Sequence, residues 1–133
     1  MRAKVLGLEA QMRDIPQIEP VTNHYFADGL YARELIHPAG ALIVGKVHRR
    51  EHFFIVTKGS VRVVMDDGVR ILRAPHVMVS SPGTKRALFS EEGCVYMTVH
   101  RTNKKNIEKI EKELVEDAPL SPFGIGNKLK VLK

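Results

Sequence analysis

Three histidines and two cations have the types and spacing to do chemistry. His48 and His52 lie four residues apart, and His100 closes a later apolar stretch that begins at Cys94. A histidine presents a neutral imidazole nitrogen near pH 7, and three on one face form a site for one divalent transition metal (Zn, Fe, Ni or Mn) with open coordination positions. Lys46 and Arg86 would then hold an anionic substrate beside the metal, the guanidinium gripping a carboxylate or phosphate with two prongs. Glu51 can pair with Arg49, Arg50 or Lys46 and soften the charge, and Tyr96 shares strand parity with His100, so both count as candidate ligand-binding residues. The same constellation also reads without a metal: Lys46, His48, His52, Arg86 and His100 make a cationic pocket for a small anion, whose charges lower the histidine pKa values. Catalysis is left open by either chemistry.

These residues need a scaffold that turns them to one side. Between about 21 and 101 the chain runs in apolar stretches of four to eight residues, separated by turn signals such as Asp28-Gly29, Lys58-Gly59, Ser81-Pro-Gly83 and Glu91-Glu-Gly93. Strands are expected near 30–37, 41–48, 51–57, 60–65, 69–73, 76–80, 84–89 and 94–100. With no helices between them, they form an antiparallel sandwich or barrel. Alternation places Leu42, Val44, Lys46 and His48 on one face, as it does His52, Phe54 and Val56; Thr84, Arg86 and Leu88; and Tyr96, Thr98 and His100. A hairpin at Glu91-Glu-Gly93 would set the last strand beside that of Arg86. The opposite rows, Phe53 with Ile55 and Val95 with Met97 and Val99, are apolar too, which points to a second packing layer or a subunit interface.

A short helix is expected near 5–13, stopped by Pro16 and Pro20, and another from a cap at Thr102 or Asn103 to about Val115, its stripe Ile107, Ile110, Leu114 and Val115 packing on the outside of the sheet. The tail 116–133 has no periodicity. His24, His37 and His76 sit near turns or strand ends and read as surface residues. Cys94 reads as a small buried hydrophobe.

Composition narrows the classes. The 133 residues make one domain, 1–133, and the 44% hydrophobic and 27% charged content is that of a globular chain. The net charge of +6 is scattered, with no Trp and no aromatic–basic alternation, which argues against a nucleic-acid partner. Apolar runs reach four residues, far short of the roughly 20 needed to cross a bilayer, and a cytoplasmic protein is expected. One cysteine excludes an internal disulfide and a cysteine-rich zinc site. No phosphate loop, dinucleotide fingerprint or Ser-His-Asp arrangement is present, so no nucleotide cofactor is expected.

The stretch from Gly45 to Gly59, GKVHRREHFFIVTKG, resembles the first motif of the cupin superfamily, G-x5-H-x-H-x3,4-E-x6-G, and Ser81-Pro-Gly-Thr-Lys-Arg86 resembles the second, P-x-G-x2-H. The resemblance spans roughly 30–100. It implies a small jelly-roll barrel, usually a homodimer, with its site inside the barrel mouth. Counting back from Gly59, Lys46 stands at the family's first histidine, His48 matches its second, His52 stands at its glutamate, and Arg86 replaces the histidine of the second motif. Lys and Arg oppose a divalent cation at those places, so the family's three-His, one-Glu site does not carry over. A looser likeness to short phage-encoded cupin-like proteins covers Phe26 to Glu34, the two motifs and Thr98-Val-His100. It would place the chain in a host cytoplasm or a virion. The expected function is binding of a small anionic molecule in a His-rich cationic pocket by a dimer or larger homo-oligomer, as a metal-dependent enzyme or, alternatively, a non-catalytic binding or assembly module such as a virion component.

Overall fold

The structure is a computed structural model that describes residues 19–65 and 68–116. Among these residues eight strands, β1 (Val21–Ala27), β2 (Leu30–His37), β3 (Leu42–Val44), β4 (His52–Met65), β5 (Gly68–Arg73), β6 (His76–Ser80), β7 (Ala87–Phe89) and β8 (Cys94–Arg101), precede one helix, α1 (Ile107–Leu114). The expected helix near 5–13 and the tail beyond 116 fall outside the described residues. All strand pairings are antiparallel, and they curl into a half-barrel of the all-β jelly-roll kind.

The 14-residue β4 organises the barrel. Its first half pairs with β6 on one side and β8 on the other, continuing through β2 to β1. Its second half pairs with β5 and β7, and β7 leads to β3. The sequence suggested two strands with a turn at Lys58-Gly59; instead the chain bends within one strand at a register shift between Val56 and Lys58. The extra residue flips the parity, so Phe54 and Val56 face inward before it and Val61, Val63 and Met65 after it. Gly59 is required at the bend: its φ is 74°, and a Cβ there would stand 2.8 Å from the carbonyl oxygen of Gly93.

The core lies between the two halves, where Leu35, Ile43, Phe54, Val56, Val61, Val63, Leu72, Leu88 and Tyr96 meet. Cys94 is buried there, its thiol pKa raised by burial. Two expectations are corrected. Ile43 enters this core while Leu42 and Val44 pack with Ala87 on another face, so the row Leu42–Val44–Lys46–His48 is broken where β3 ends before Gly45. β7 and β8 belong to different halves of the barrel, so Glu91-Glu-Gly93 is a connection and not a hairpin.

Helix α1 is shorter than expected. Asn106 caps it, its side-chain oxygen accepting from Lys109 N at 3.2 Å, while the Thr102 hydroxyl accepts from Lys104 N ahead of the helix. The helix does not lie outside the sheet. Its stripe, Ile110, Leu114 and Val115 with Ile107, packs on Tyr31, which belongs to the inward row Tyr31–Arg33–Leu35–His37 of β2. Burying such side chains contributes roughly 1.5–3 kcal/mol each. Backbone bonds from Arg49 N to Leu114 O (2.6 Å) and Glu116 N to Val47 O (2.8 Å) fasten the helix end to the segment before β4. The helix therefore caps one end of the barrel.

Candidate metal centre and anion pocket

The register of the large sheet brings the histidines together. Tyr31 pairs with His100 across β2 and β8, and Phe53 with Val99 across β4 and β8, so His52 stands next to His100 on the same inward rung. His48 arrives from the loop between β3 and β4, where its backbone bridges to Val115. His100 thus reaches the cluster through β4, and the strand of Arg86 plays no part in placing it.

The three rings stack, with centroids 4.3 Å (His48–His52), 4.7 Å (His48–His100) and 4.3 Å (His52–His100) apart. A ring nitrogen of each lies within 4.8 Å of those of the other two. His52 Nδ1–H donates to the carbonyl of Arg50 at 3.0 Å, which leaves its Nε2 as a bare lone pair. His48 Nδ1 and His100 Nε2 share one proton at 2.8 Å. His52 Nε2 and His100 Nδ1 are buried and bond to nothing among the described residues.

Electrostatics keep this cluster neutral. Burial drives the His48 pKa well below its ordinary value, with His52, His100, Arg33 and Arg86 adding repulsion. Burial, then the charges of His52 and Arg33, push His100 down to about 3. His52 is lowered by burial and by Arg86, against the opposing bond to the Arg50 carbonyl. Neutral imidazole is the form a metal requires, and two unspent buried nitrogens in one cluster fit a cation better than they fit a closed hydrogen-bond network.

Beside the cluster opens a cavity of about 100 Å³, lined by His48, His52, Lys46, Arg86, Arg33 and Tyr96 among others. The Arg86 guanidinium lies over the Phe54 ring at 5.6 Å, and its Nε is buried without a partner among the described residues. The Tyr96 phenol is held protonated, its pKa well above the ordinary value through burial, and donates to His37 Nδ1 at 2.9 Å. Glu51 is not part of this pocket. It is exposed, since alternation next to the inward His52 turns it out, and the acids that meet these cations are instead Glu111, near Arg33 (3.0 Å) and Lys46 (4.0 Å), and Glu113, which pairs with Arg50 at 2.9 Å.

Sequence reasoning missed Arg33 and Glu111. Arg33 had a signal, because it alternates with Tyr31 and Leu35 on an inward row; Glu111 had none, because docking of the helix end decides where it points. His37 is also corrected: it is 1% exposed, donating from Nε2 to the Ala41 carbonyl at 2.6 Å. Its ring closes the turn after β2 and is no surface group.

No family model matches this chain, and no curated protein matches it. Solved structures do. The Cupin_2 domain of an XRE-family transcriptional regulator from Enterobacter cloacae aligns over 65% of this chain and 100% of its own, at 14% identity and a TM-score of 0.55. A cupin 2 conserved barrel domain protein from Salinispora arenicola aligns over 68% and 83%, at 14% identity and 0.54. The chain has the cupin fold. A third neighbour, the DMSP lyase DddQ from Ruegeria pomeroyi, aligns over 66% of this chain but 49% of its own, at 15% identity and 0.56. Nothing in these comparisons supports the looser phage likeness. Among the described residues of this cupin barrel no helix is long and apolar enough to cross a membrane.

Proposed function

We propose that this cupin barrel binds one divalent transition metal on His48, His52 and His100 and a small anion beside it on Arg86 and Lys46. The observation that carries the reading is the pair of buried, unspent nitrogens in a cluster of three neutral imidazoles. A metal held there by the three neutral imidazoles would supply Lewis-acid chemistry. The chain's own residues do the rest. Arg50's carbonyl fixes the His52 tautomer, the way a second-shell acceptor orients a metal-bound imidazole. Arg86, stacked on Phe54, faces the anion, and Leu35, Ile43 and Leu88 keep that side of the cavity dry. That a lyase shares the fold supports a catalytic use of such a pocket without naming the reaction.

Elemental analysis of protein purified without chelator tests the metal. One equivalent of Zn, Fe, Ni or Mn, lost in His48→Ala and His52→Ala, is expected; no stoichiometric metal, and no uptake on addition, overturns the reading. Self-association is a second proposal. The outer face of the large sheet carries Phe53 beside Val79 and Ile55 beside Val77, with Phe53, Val77 and Val79 about half exposed. A second copy of this chain covers that face in the proposed dimer, and Phe53→Glu is expected to halve the mass seen by light scattering; an unchanged mass refutes it.

A further inference from the structure

Of the three histidines in the cluster, His48 is the one outside the strands: His52 and His100 sit on β4 and β8, and His48 lies in the loop between β3 and β4. That loop is fastened to the end of helix α1. Arg49 N donates to the Leu114 carbonyl at 2.6 Å, and the Val47 carbonyl accepts from Glu116 N at 2.8 Å, so both chain neighbours of His48 are tied there. His48 itself forms an antiparallel bridge with Val115, and Arg49 Nε donates to the Val115 carbonyl at 3.2 Å. A further backbone bond, from Gly83 N to the His48 carbonyl at 2.9 Å, ties the loop to the segment before β7. The helix reaches the cluster by two more routes. Ile110, Leu114 and Val115 pack on Tyr31, and Tyr31 is the cross-strand partner of His100. Glu111 pairs with Arg33 at 3.0 Å, and Arg33 is one of the cations whose charge bears on His48 and His100. A helix lifted from the barrel would release the His48 loop, uncover Tyr31 and leave Arg33 uncompensated beside the nitrogens that are to take a divalent cation.

We infer that helix α1 is a positioning element of the metal centre: its docking sets His48 for the ion, and a bound ion in turn holds the helix on the barrel. The inference rests on the metal reading proposed above and goes beyond it by linking the site to an element that contributes no ligand. The effect is reciprocal, because an ion that prefers the docked state shifts the equilibrium toward it by the same factor by which docking raises the affinity. At eight residues α1 is too short to persist off the barrel, since isolated helices below about 12–15 residues are marginal in water. Undocking and unfolding of the helix are therefore one event, which backbone hydrogen exchange reads directly.

Zn(II) serves as the probe on the full chain, its affinity read by competition with a chromophoric chelator and helix docking by hydrogen exchange over 107–116. Ile110→Ala cuts the apolar stripe of the helix, where the side chain is 1% exposed. Leu72→Ala is the control, opening a comparable hole in the core cluster between the two halves of the barrel, which the helix does not join. Ile110→Ala is expected to weaken Zn binding by about tenfold, within the roughly 5–150-fold range usual for coupled sites, while Leu72→Ala stays within about twofold of the unaltered chain. Saturating Zn is expected to slow exchange over 107–116 of the unaltered chain by about the same tenfold factor. Absence of Zn uptake by the unaltered chain overturns the metal reading and this inference with it. Zn binding that Ile110→Ala leaves unchanged, equal losses in Ile110→Ala and Leu72→Ala, or helix exchange that saturating Zn does not slow, overturns the inference alone. The exchange measurement needs no variant, so it decides the matter where Ile110→Ala does not fold.

Discussion

His37 and the His48–His52–His100 cluster occupy opposite ends of one β2–β8 ladder: His37 pairs with Cys94 at one end, and Tyr31 pairs with His100 at the other. Both places bury histidine inside the barrel. At His37 each nitrogen is used, Nε2–H on the Ala41 carbonyl and Nδ1 on the Tyr96 hydroxyl, so the ring is a structural strut. At the cluster two nitrogens remain unspent although the cost of burial has been met. The difference teaches that burial of a histidine says little by itself. What its second nitrogen does separates a strut from a ligand, because a buried polar atom left unbonded costs about 1–3 kcal/mol unless something else satisfies it.

The largest effect that can break this contrast is on metal uptake. Alanine at His48, His52 or His100 is expected to weaken metal binding by about a thousandfold, roughly 4 kcal/mol, as measured by competition with a chromophoric chelator. His37→Phe is expected to leave metal affinity unchanged. Equal losses at His37 and His100 would erase the distinction between the two places.

Next comes pH. The folded pKa values at the cluster lie below the unfolded value of 6.5, so the unfolded chain takes up protons that the folded chain refuses. Stability is therefore full above about pH 6.5 and falls as the pH drops, for His100 until about 3. Between pH 6.5 and 5 the His100 contribution alone is about 2 kcal/mol, at about 1.36 kcal/mol per unit. Urea melts at the two pH values in metal-free buffer measure it, and His100→Asn is expected to flatten the dependence. His37 is lowered too, by burial, but its bond to the Ala41 carbonyl opposes the shift, so its share is smaller.

His37→Phe itself is expected to cost about 2 kcal/mol at neutral pH, since it leaves the buried Tyr96 hydroxyl without a partner and takes one from the half-buried Ala41 carbonyl. A melt at pH 7 checks it. The smallest effect is expected at the rim, where Arg50→Ala removes an ion pair to Glu113 whose arginine is more than half exposed. Such pairs contribute about 0.2–1 kcal/mol, and a change in metal affinity from this variant would show that the rim, too, shapes the cluster.

Much of the site was legible in the chain. Alternation turned His52, Arg86, Tyr96 and His100 inward, and the cupin-like spacing drew attention to His48. Where alternation misled, the backbone had left the regular strand: after β3 ends before Gly45, and at the bulge between Val56 and Lys58. His37 looked like a surface residue because its partners, Ala41 and Tyr96, carry no mark of it in sequence.

The sequence by itself determined the period-two pattern, the all-β class and the inward rows that hold His52, Arg86, Tyr96 and His100, because each of these is set by neighbours a few residues away. Only the tertiary structure decided that His100 stands beside His52, that α1 caps the barrel from inside, and that Glu111 reaches Arg33 across 78 positions of chain. Strand register and helix docking are settled by the burial of whole faces against one another, and no local spacing encodes which two residues that burial will bring together.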